Sequence, residues 1–464
     1  MATWIAEAPR AWSENALRRA EAAFVDTVAC MLVGADDVAA RRVRAATAPW
    51  GMGVGAGTGT DAGVGAATIF GTPERQAAPW AALANGTAAH ALDYDDVLEI
   101  ANAHVSAVLV PAILALGEER QASGEACLDA LIVGVEIMAR LGEAMNMTHY
   151  FLGWHTTLTL GSIAAAASAA RLLELDAARA SAAISAATSM ASGSKRQFGT
   201  MTKPVHAGLA AKNGILAAAM AETGITAAED IFETERGFVV LFAGTPVERL
   251  DAAMDRLGAP AAIEQHGLWQ KYYPCCASAH RPLDAILSLR SEIGFAPGAV
   301  ESIDALVSEV AAQNLTYPAP EDAMQARFSM HYLLASALID GKLTLDAFEP
   351  AALKRAQIQA LLPKITMTAD PAQPGNASTD STIHRAEVTL RMADGSTLSQ
   401  AITDPKGHPL QALAEQELSD KFLSCAAGLL LAEDTNSVLV ALWDIRNFDQ
   451  ITKLTNRMGA PHDA

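Results

Sequence analysis

The sequence is short of positive charge. Its 464 residues contain 33 lysines and arginines against 52 aspartates and glutamates, which gives a formal net charge of −19. A nucleic-acid binder needs a basic surface for the phosphate backbone, so this balance argues against that class and predicts no nucleic-acid partner. Aromatic residues are also few, at 5%, although 51% of all residues are hydrophobic. A core of alanine and other small side chains favours closely packed helices over a β-sandwich.

Long apolar runs are missing as well. The longest runs, such as residues 105–116 and 158–170, are shorter than the roughly 18–20 residues of a membrane-spanning helix. The first residues lack the basic and apolar regions of a secretory signal, so we expect a cytoplasmic protein without a membrane partner. The five cysteines fit neither a disulfide framework nor a C-x-x-C metal site. We therefore expect reduced thiols and no bound metal.

Nucleotide-binding motifs are weak or absent. There is no Walker A sequence, and residues 57–62 (GTGTDA) match G-x-G-x-x-A only formally. A dinucleotide fingerprint follows a buried strand and opens a helix, whereas this run lies between glycine-rich segments and a further turn. The sequence therefore predicts no nucleotide cofactor.

Helical periodicity dominates both ends of the chain. Apolar residues recur at helical spacing in residues 14–32, and helical stretches with Gly and Pro joints fill residues 77–226. Alternating patterns at 302–310 and 386–392 predict strands, and the Asp394-Gly395 turn predicts a hairpin with the strand that follows. Helical patterns at 326–339 and 353–362 lie between the strands. We predict a mainly α protein, with a helical domain from residues 1–257 and 405–464 and an α+β domain from residues 258–404.

One segment combines acids and histidines within an apolar region. Residues 85–96 read NGTAAHALDYDD, and His104 follows. If the segment is helical, Asp93 and Asp96 share a face, with His90 one turn earlier. Burying such groups is costly without a partner, which favours a functional site. A divalent cation needs more oxygens than one helix end offers, and helix capping or solvated loop acids are the alternative.

Two further segments offer cations or a histidine. In GWHTT, His155 enters a helix after a glycine joint, which suits either a structural or a catalytic histidine. Residues 194–208 (SKRQFGTMTKPVHAG) place Arg196, Thr202 and Lys203 just before a helix. Amide donors at a helix N-terminus together with a lysine suit a small anionic ligand, and a basic surface loop is the alternative.

The last two segments contain thiols and a tyrosine. Lys271 precedes YYPCC, and a thiol near a lysine, such as that of Cys276, can titrate low and act as an acid or base. A buried, inert cysteine pair is the alternative. In RFSMHY, Tyr332 is either a core residue or a source of a hydroxyl group.

Taken together, these segments resemble the MmgE/PrpD family, which includes 2-methylcitrate dehydratases, cis-aconitate decarboxylases and iminodisuccinate epimerase. The resemblance extends from FVDTVACMLVG through NGTAAHALDYDD, GWHTTLTLG, KYYPCC and FSMHY, and GTMTKPVHAGLAAKNG is its most specific phrase. It implies a large helical domain made from both chain ends, a smaller α+β lid, a homodimer, and acid–base chemistry on a small anionic carboxylate without a cofactor.

The resemblance also implies site residues. Those carried over as catalytic are Asp93, His104, His155, Lys203, Lys271 and Tyr332, and those expected to bind substrate are Cys276, Arg196 and Thr202. The lysines would stabilise charge on a carboxylate, and their proximity would lower the pKa of one of them towards that of a useful base. The histidines would transfer protons, Asp93 would orient a histidine or hydrogen-bond the substrate, and Tyr332 would close the site from the lid.

Departures from the family pattern leave more than one type of reaction possible. Val97 stands where the decarboxylase-like pattern has threonine, His104 lies one residue later, and Cys276 replaces a histidine. A lyase, either dehydratase or decarboxylase, is favoured as the commoner activity of the family. An epimerase with Cys276 as its second base is the alternative, and a carboxylate-binding protein without turnover is a third.

Overall fold

The structure, a computed structural model, has two hydrophobic cores. It describes residues 1–51, 66–294, 296–373, 384–430 and 432–459, so the glycine-rich motif at 57–62 lies outside the described residues. One core combines residues 5–268 with residues 422–458, and the other lies within residues 273–392. We call these the helical domain and the lid domain. The part of the chain that the structure describes is 60% helical, which confirms the mainly α class, while the boundaries at 257/258 and 404/405 stay predictions.

The helical domain is a stack of helices with one short hairpin, β1 (Ala66–Thr68) and β2 (Arg75–Ala77). Its helices are α1 (Ala2–Glu7), α2 (Glu14–Gly34), α3 (Val38–Gly51), α4 (Ala78–Ala91), α5 (Ser106–Arg120), α6 (Gly124–Met145), α7 (Thr148–Phe151), α8 (Thr156–Leu172), α9 (Ala177–Thr188), α10 (Thr202–Glu222), α11 (Phe238–Ala243), α12 (Glu248–Met254) and α13 (Ala262–Gln265). The helix predicted for residues 14–32 is confirmed as α2, which the Ser13 side chain caps. In the part of the chain that the structure describes, no helix combines the length and apolar character needed to cross a bilayer.

Close contact between α4 and α10 determines where the site forms. A Cβ atom on Gly86 of α4 would lie 2.8 Å from the Cα atom of Gly208 in α10, and one on Gly208 would overlap the carbonyl oxygen of Leu83. Only glycine permits this approach of two backbones. The C-terminal end of α4 is thereby held against the N-terminal turn of α10, where Lys203 lies.

The lid domain contains helices and one mixed sheet. Its elements are α14 (His280–Ile293), β3 (Val300–Val307), α15 (Glu309–Asn314), α16 (Ala323–Ala326), α17 (Met330–Asp340), α18 (Pro350–Leu353), α19 (Ala356–Leu361), β4 (Ile365–Ala369), β5 (Ala386–Met392) and β6 (Thr397–Ile402). The strand order is β4-β3-β5-β6, with β4 parallel to β3 and the other pairs antiparallel. The predicted hairpin is confirmed, with Leu390 paired to Leu398. The strand predicted at 302–310 ends early, because the Ser308 side chain caps α15.

The chain returns to the helical domain through α20 (Glu415–Ala426), α21 (Ala432–Trp443) and α22 (Thr452–Thr455). Helices α20 and α21 pack on α2, as expected of the last helices. The buried Lys421 of α20 pairs with Asp26 of α2 at 2.7 Å and donates to the carbonyl oxygens of Tyr94 and Lys271 at 2.7 and 2.9 Å. The returning segment therefore fixes the backbone of two residues next to the site.

Candidate active site

The centre of the candidate site is a buried carboxylate between two lysines. Asp93 follows the end of α4 and has a left-handed backbone, with φ of 52°. Its Oδ2 atom accepts from Lys203 Nζ at 2.6 Å, and its Oδ1 and carbonyl oxygens accept from Lys271 Nζ. All three side chains are at least 96% buried. The turn away from the helix is what points this carboxylate at both lysines.

These contacts determine the charge of the central groups. Burial alone would raise the pKa of Asp93, but Lys203 and Lys271 outweigh burial and hold that pKa well below its usual range. Burial would lower the pKa of Lys271, yet the attraction of Asp93 raises it above the usual value. The expectation that the proximity of the two lysines lowers the pKa of one of them is therefore wrong for Lys271, because Asp93 lies between the lysines.

A second carboxylate, Asp95, joins two histidines. His90 Nδ1 lies 2.9 Å and His104 Nδ1 lies 3.1 Å from Asp95 Oδ2, and the two imidazole rings are 4.2 Å apart. Burial lowers the pKa of His104 to about 3 and also lowers that of His90. Both imidazoles are neutral at pH 7. The His90 Nδ1–H donates to Asp95, whereas the His104 Nδ1–H donates to the carbonyl oxygen of Asp96 at 3.1 Å and also faces the Asp95 carboxylate. The Nε2 lone pairs remain available, and that of His90 has no hydrogen-bond partner in the described chain.

The same three residues form the one candidate metal group found among the described residues, with ligand atoms within 4.8 Å of one another. Their spacing is accounted for by the contacts of two Nδ1 atoms with one carboxylate, at 2.9 and 3.1 Å. Lys203 and Lys271 contribute positive charge around His104, which disfavours a metal cation at this position. We therefore assign Asp95 as the acceptor that orients His90 and His104.

A second histidine pair completes the cluster. His155 is the N-cap residue of α8, and its Nδ1 lies 2.8 Å from Nδ1 of His206 in α10. Burial lowers the pKa of His206 to about 4 and holds that of His155 well below the usual range. The His155 ring lies 6.5 Å from that of His104 and 5.0 Å from Phe198. One of the two Nδ1 atoms must donate and the other accept, so the pair can relay a proton.

Asp96 does not share a helical face with Asp93, because α4 ends at Ala91. Its carboxylate instead accepts from the backbone N–H of Ser106 at 3.1 Å, at the start of α5. Burial raises the pKa of Asp96 to about 7. Asp96 therefore anchors the start of α5, and it does not contribute to a shared acidic face.

Three expected site residues are not brought into this cluster. Tyr332 is buried in the lid core and its hydroxyl donates to the carbonyl oxygen of Ala347, so it does not close the site. The reason is that the start of α17 turns Tyr332 inward. Arg196 and Thr202 are exposed to solvent, so neither residue is part of the buried cluster.

Other residues lie where those three were expected. From the lid, Tyr317 reaches the helical domain and donates its hydroxyl to the carbonyl oxygen of Phe198 at 2.8 Å. In the basic loop, Lys195 rather than Arg196 turns inward, with its Nζ atom 3.5 Å from the Tyr150 ring centroid. Burial lowers the pKa of Lys195 to about 8.

Cys276 lies close to the cluster as a thiol. It is 8% exposed, and its charged form would interact with Asp93 and Lys271. Burial raises the pKa of Cys276, so the idea of a low-titrating thiol beside Lys271 is wrong. All five cysteines are buried and free, as expected of reduced thiols.

A narrow cleft between the two domains opens onto this cluster. The helical domain contributes His90, Asp93 and Lys203, and the lid contributes Arg327 and Phe328. Arg327 was not among the site residues expected from the sequence, although it opens the RFSMHY segment. The available signal was an arginine directly before an apolar helix, where burial of a charge needs a reason.

Two family models match the chain. The MmgE/PrpD N-terminal domain matches residues 1–250, and the MmgE/PrpD C-terminal domain matches residues 273–445. The chain belongs to the MmgE/PrpD family. The second match continues into the returning helices, which pack on the first core in this structure.

Curated members of the MmgE/PrpD family resemble the chain over most of its length. It is 27% identical to mouse cis-aconitate decarboxylase over 409 residues, or 85% of this chain and 81% of the mouse protein. The human cis-aconitate decarboxylase is 28% identical over 408 residues, with 85% and 82% covered. A cis-aconitate decarboxylase from Aspergillus terreus is 25% identical over 423 residues, with 85% and 81% covered. These three relatives are thus named as decarboxylases, a class of carboxy-lyase.

Proposed function

We propose that this MmgE/PrpD protein is a lyase that acts on a small di- or tricarboxylate beside one of its carboxylate groups, by decarboxylation or dehydration. The observation that carries the proposal is the buried Lys203–Asp93–Lys271 arrangement beside neutral histidines. The names of the relatives favour decarboxylation of a cis-aconitate-like substrate over dehydration.

The charges of the cleft suit an anion. Lys203 and Lys271 both pair with the single carboxylate of Asp93, and Arg327 lines the same cleft without an ion pair within 4.0 Å in the described chain. A substrate carboxylate that shares the lysines with Asp93 would gain charge-assisted hydrogen bonds. The same lysines would then stabilise negative charge that builds on that carboxylate in the transition state.

The histidines supply the proton chemistry. An anionic substrate raises the pKa of nearby imidazoles, so that His104 or His155 can hold a proton in the complex. In decarboxylation the C–C bond to CO₂ breaks, its electron pair delocalises towards the remaining carboxylate, and the imidazolium delivers a proton to carbon. In dehydration one imidazole removes the proton next to the carboxylate and the other protonates the leaving hydroxyl.

Proton NMR in D₂O tests the proposal directly. The purified protein is incubated with cis-aconitate, 2-methylcitrate and iminodisuccinate, and we expect loss of CO₂ or water from one of them. Deuterium entering an unchanged carbon skeleton would instead identify the epimerase alternative. Binding without turnover or exchange would favour the carboxylate-binding alternative. An inert protein across a wide di- and tricarboxylate panel would refute the enzyme proposal.

Two variants test the residues. We expect Lys203→Ala and His104→Ala to lower kcat at least about a hundredfold, the usual contribution of a positioned acid, base or electrostatic group. Lys212→Ala is the matched control, because Lys212 lies on the same helix and stacks over Trp80 away from the cleft. Circular dichroism confirms that each variant folds. Full activity in either site variant would refute its assignment.

The assembly and the location are also proposals. We propose a homodimer, as the family resemblance implies, and light scattering of the purified chain tests it through the molar mass. A mass of one chain across the micromolar range would refute the dimer. We propose a cytoplasmic location, which imaging of the tagged chain in cells tests.

A further inference from the structure

Among the described residues, Arg327 is a buried cation without a carboxylate partner. It lies between α16 and α17 of the lid and is 5% exposed. Its Nη1 atom donates to the carbonyl oxygen of Ala323 at 3.2 Å, and its guanidinium carbon lies 4.5 Å from the Phe348 ring centroid. In the part of the chain that the structure describes, its buried Nε atom has no hydrogen-bond partner and no carboxylate lies within 4.0 Å of the guanidinium.

Other buried arginines of this chain are paired. Arg140 contacts Glu136 at 2.7 Å, and Arg171 contacts Asp129 at 2.7 Å. Such pairing is the rule, because an unpaired buried charge costs several kcal/mol or more. Arg327 has only longer-range attraction, to Asp37 first and then to Asp93, and burial lowers its pKa despite that attraction. An anionic ligand would supply the close counter-ion that Arg327 lacks in the described chain.

The position of Arg327 shows where that anion would bind. Arg327 lines the cleft from the lid, while Asp93 and Lys203 line it from the helical domain. Lys203 and Arg327 therefore approach a ligand from different domains. A guanidinium offers a planar fork of donors that matches one carboxylate, which an ammonium group cannot imitate.

We propose that Arg327 binds a second carboxylate of the substrate, remote from the carboxylate held by Lys203 and Lys271. This inference rests on the proposed function for the identity of the substrate. It makes Arg327 a specificity-determining residue, because a monocarboxylate would occupy the lysine subsite and gain nothing from the lid.

Anion binding tests the inference separately from turnover. Isothermal titration calorimetry measures the Kd of tricarballylate, a saturated tricarboxylate, and of propionate for the wild type, Arg327→Gln and Arg327→Lys. We expect Arg327→Gln to weaken tricarballylate about 10- to 100-fold, the usual effect of losing hydrogen bonds to a charged group. Propionate binding should change less than twofold. Arg391→Gln, an exposed lid arginine paired with Asp304, is the matched control and should change neither Kd.

The outcomes separate the two proposals. Selective weakening of tricarballylate supports the role of Arg327 even if the wild type turns over no substrate, a result that would refute the lyase alone. The role of Arg327 would be overturned if the variant lost affinity equally for both ligands or kept its full affinity for tricarballylate. It would also be overturned if the wild type did not bind tricarballylate. If Arg327→Gln does not fold, Arg327→Lys decides the question, since a lysine that restores full tricarballylate affinity would refute the need for a fork.

Discussion

Asp93 offers the most direct test of the charge arrangement in the site. The change is Asp93→Asn, which keeps the shape of the side chain and removes its charge. Both lysine partners are at least 96% buried, so the variant leaves two buried ammonium groups without a counter-ion. Breaking a buried pair by removing one partner costs about 3–5 kcal/mol. We expect the free energy of unfolding at pH 7 to fall by at least that amount.

The pH dependence of this loss follows from two pKa shifts. The pKa of Asp93 is lowered in the folded state, so its contribution is present above about pH 4 and is lost as pH falls through the folded pKa. In the variant, burial without Asp93 disfavours the charge of Lys271, so raising the pH relieves the penalty. The difference between wild type and variant should therefore be largest between about pH 4 and pH 7, and it should shrink towards pH 9 and as the pH falls below about 4.

The assay is urea unfolding followed by circular dichroism at pH 3, 7 and 9. Asp304→Asn serves as the control, because Asp304 pairs with Arg391 on the lid surface and such exposed pairs contribute about 0–1 kcal/mol. Adding Lys271→Met to Asp93→Asn should restore part of the stability, since it removes one uncompensated charge. The reasoning fails if Asp93→Asn costs no more than Asp304→Asn, or if the double variant is less stable still.

Three further predictions concern histidines, packing and the thiol. Burial lowers the pKa of His280 to about 3, so the folded chain excludes a proton that the unfolded chain binds below about pH 6.5. The free energy of unfolding should therefore fall as the pH drops from 6 to 5. In His280→Asn this fall should be smaller by up to about 1.4 kcal/mol per pH unit, measured by urea titration. Gly208→Ala would overlap the carbonyl oxygen of Leu83 and should cost about 3 kcal/mol, measured by urea unfolding. Because burial raises the pKa of Cys276, we expect iodoacetamide to label Cys276 at pH 7.5 far more slowly than free cysteine, as followed by mass spectrometry.

Each of these has an outcome that would contradict it. An unchanged slope between pH 6 and 5 in His280→Asn would mean that this histidine takes up a proton without unfolding. The packing control is Gly298→Ala, because a Cβ atom there meets nothing within 4 Å, and equal costs at both glycines would contradict the close helix contact. Labelling of Cys276 at the rate of free cysteine would restore the thiolate base that the epimerase alternative needs.

Local pattern was enough for much of the fold. Helical spacing determined α2, and the alternation of residues 386–392 with an Asp-Gly turn determined the hairpin of β5 and β6, because both depend on neighbours a few residues away. The strand predicted to reach residue 310 failed because the Ser308 side chain starts a helix. A capping hydrogen bond of this kind competes with the strand pattern at its end.

The sequence by itself determined that acids, histidines and lysines of one family pattern occur in the chain, and it named Asp93, His104, His155, Lys203 and Lys271 together. Tertiary structure alone decided how they act. Asp93 itself has the left-handed backbone after α4, and this conformation directs its carboxylate to both lysines. The pKa of Lys271 is therefore raised, whereas the expected proximity of the two lysines predicted a lowered pKa.

The same distinction holds for the lid. Tyr332 and Arg327 are five residues apart in one segment, yet Tyr332 turns into the lid core while Arg327 lines the cleft. Direction of a side chain, burial and the charge of a neighbour from another domain depend on contacts between distant parts of the chain. A sequence shows which groups are available, and only the folded chain determines which of them meet.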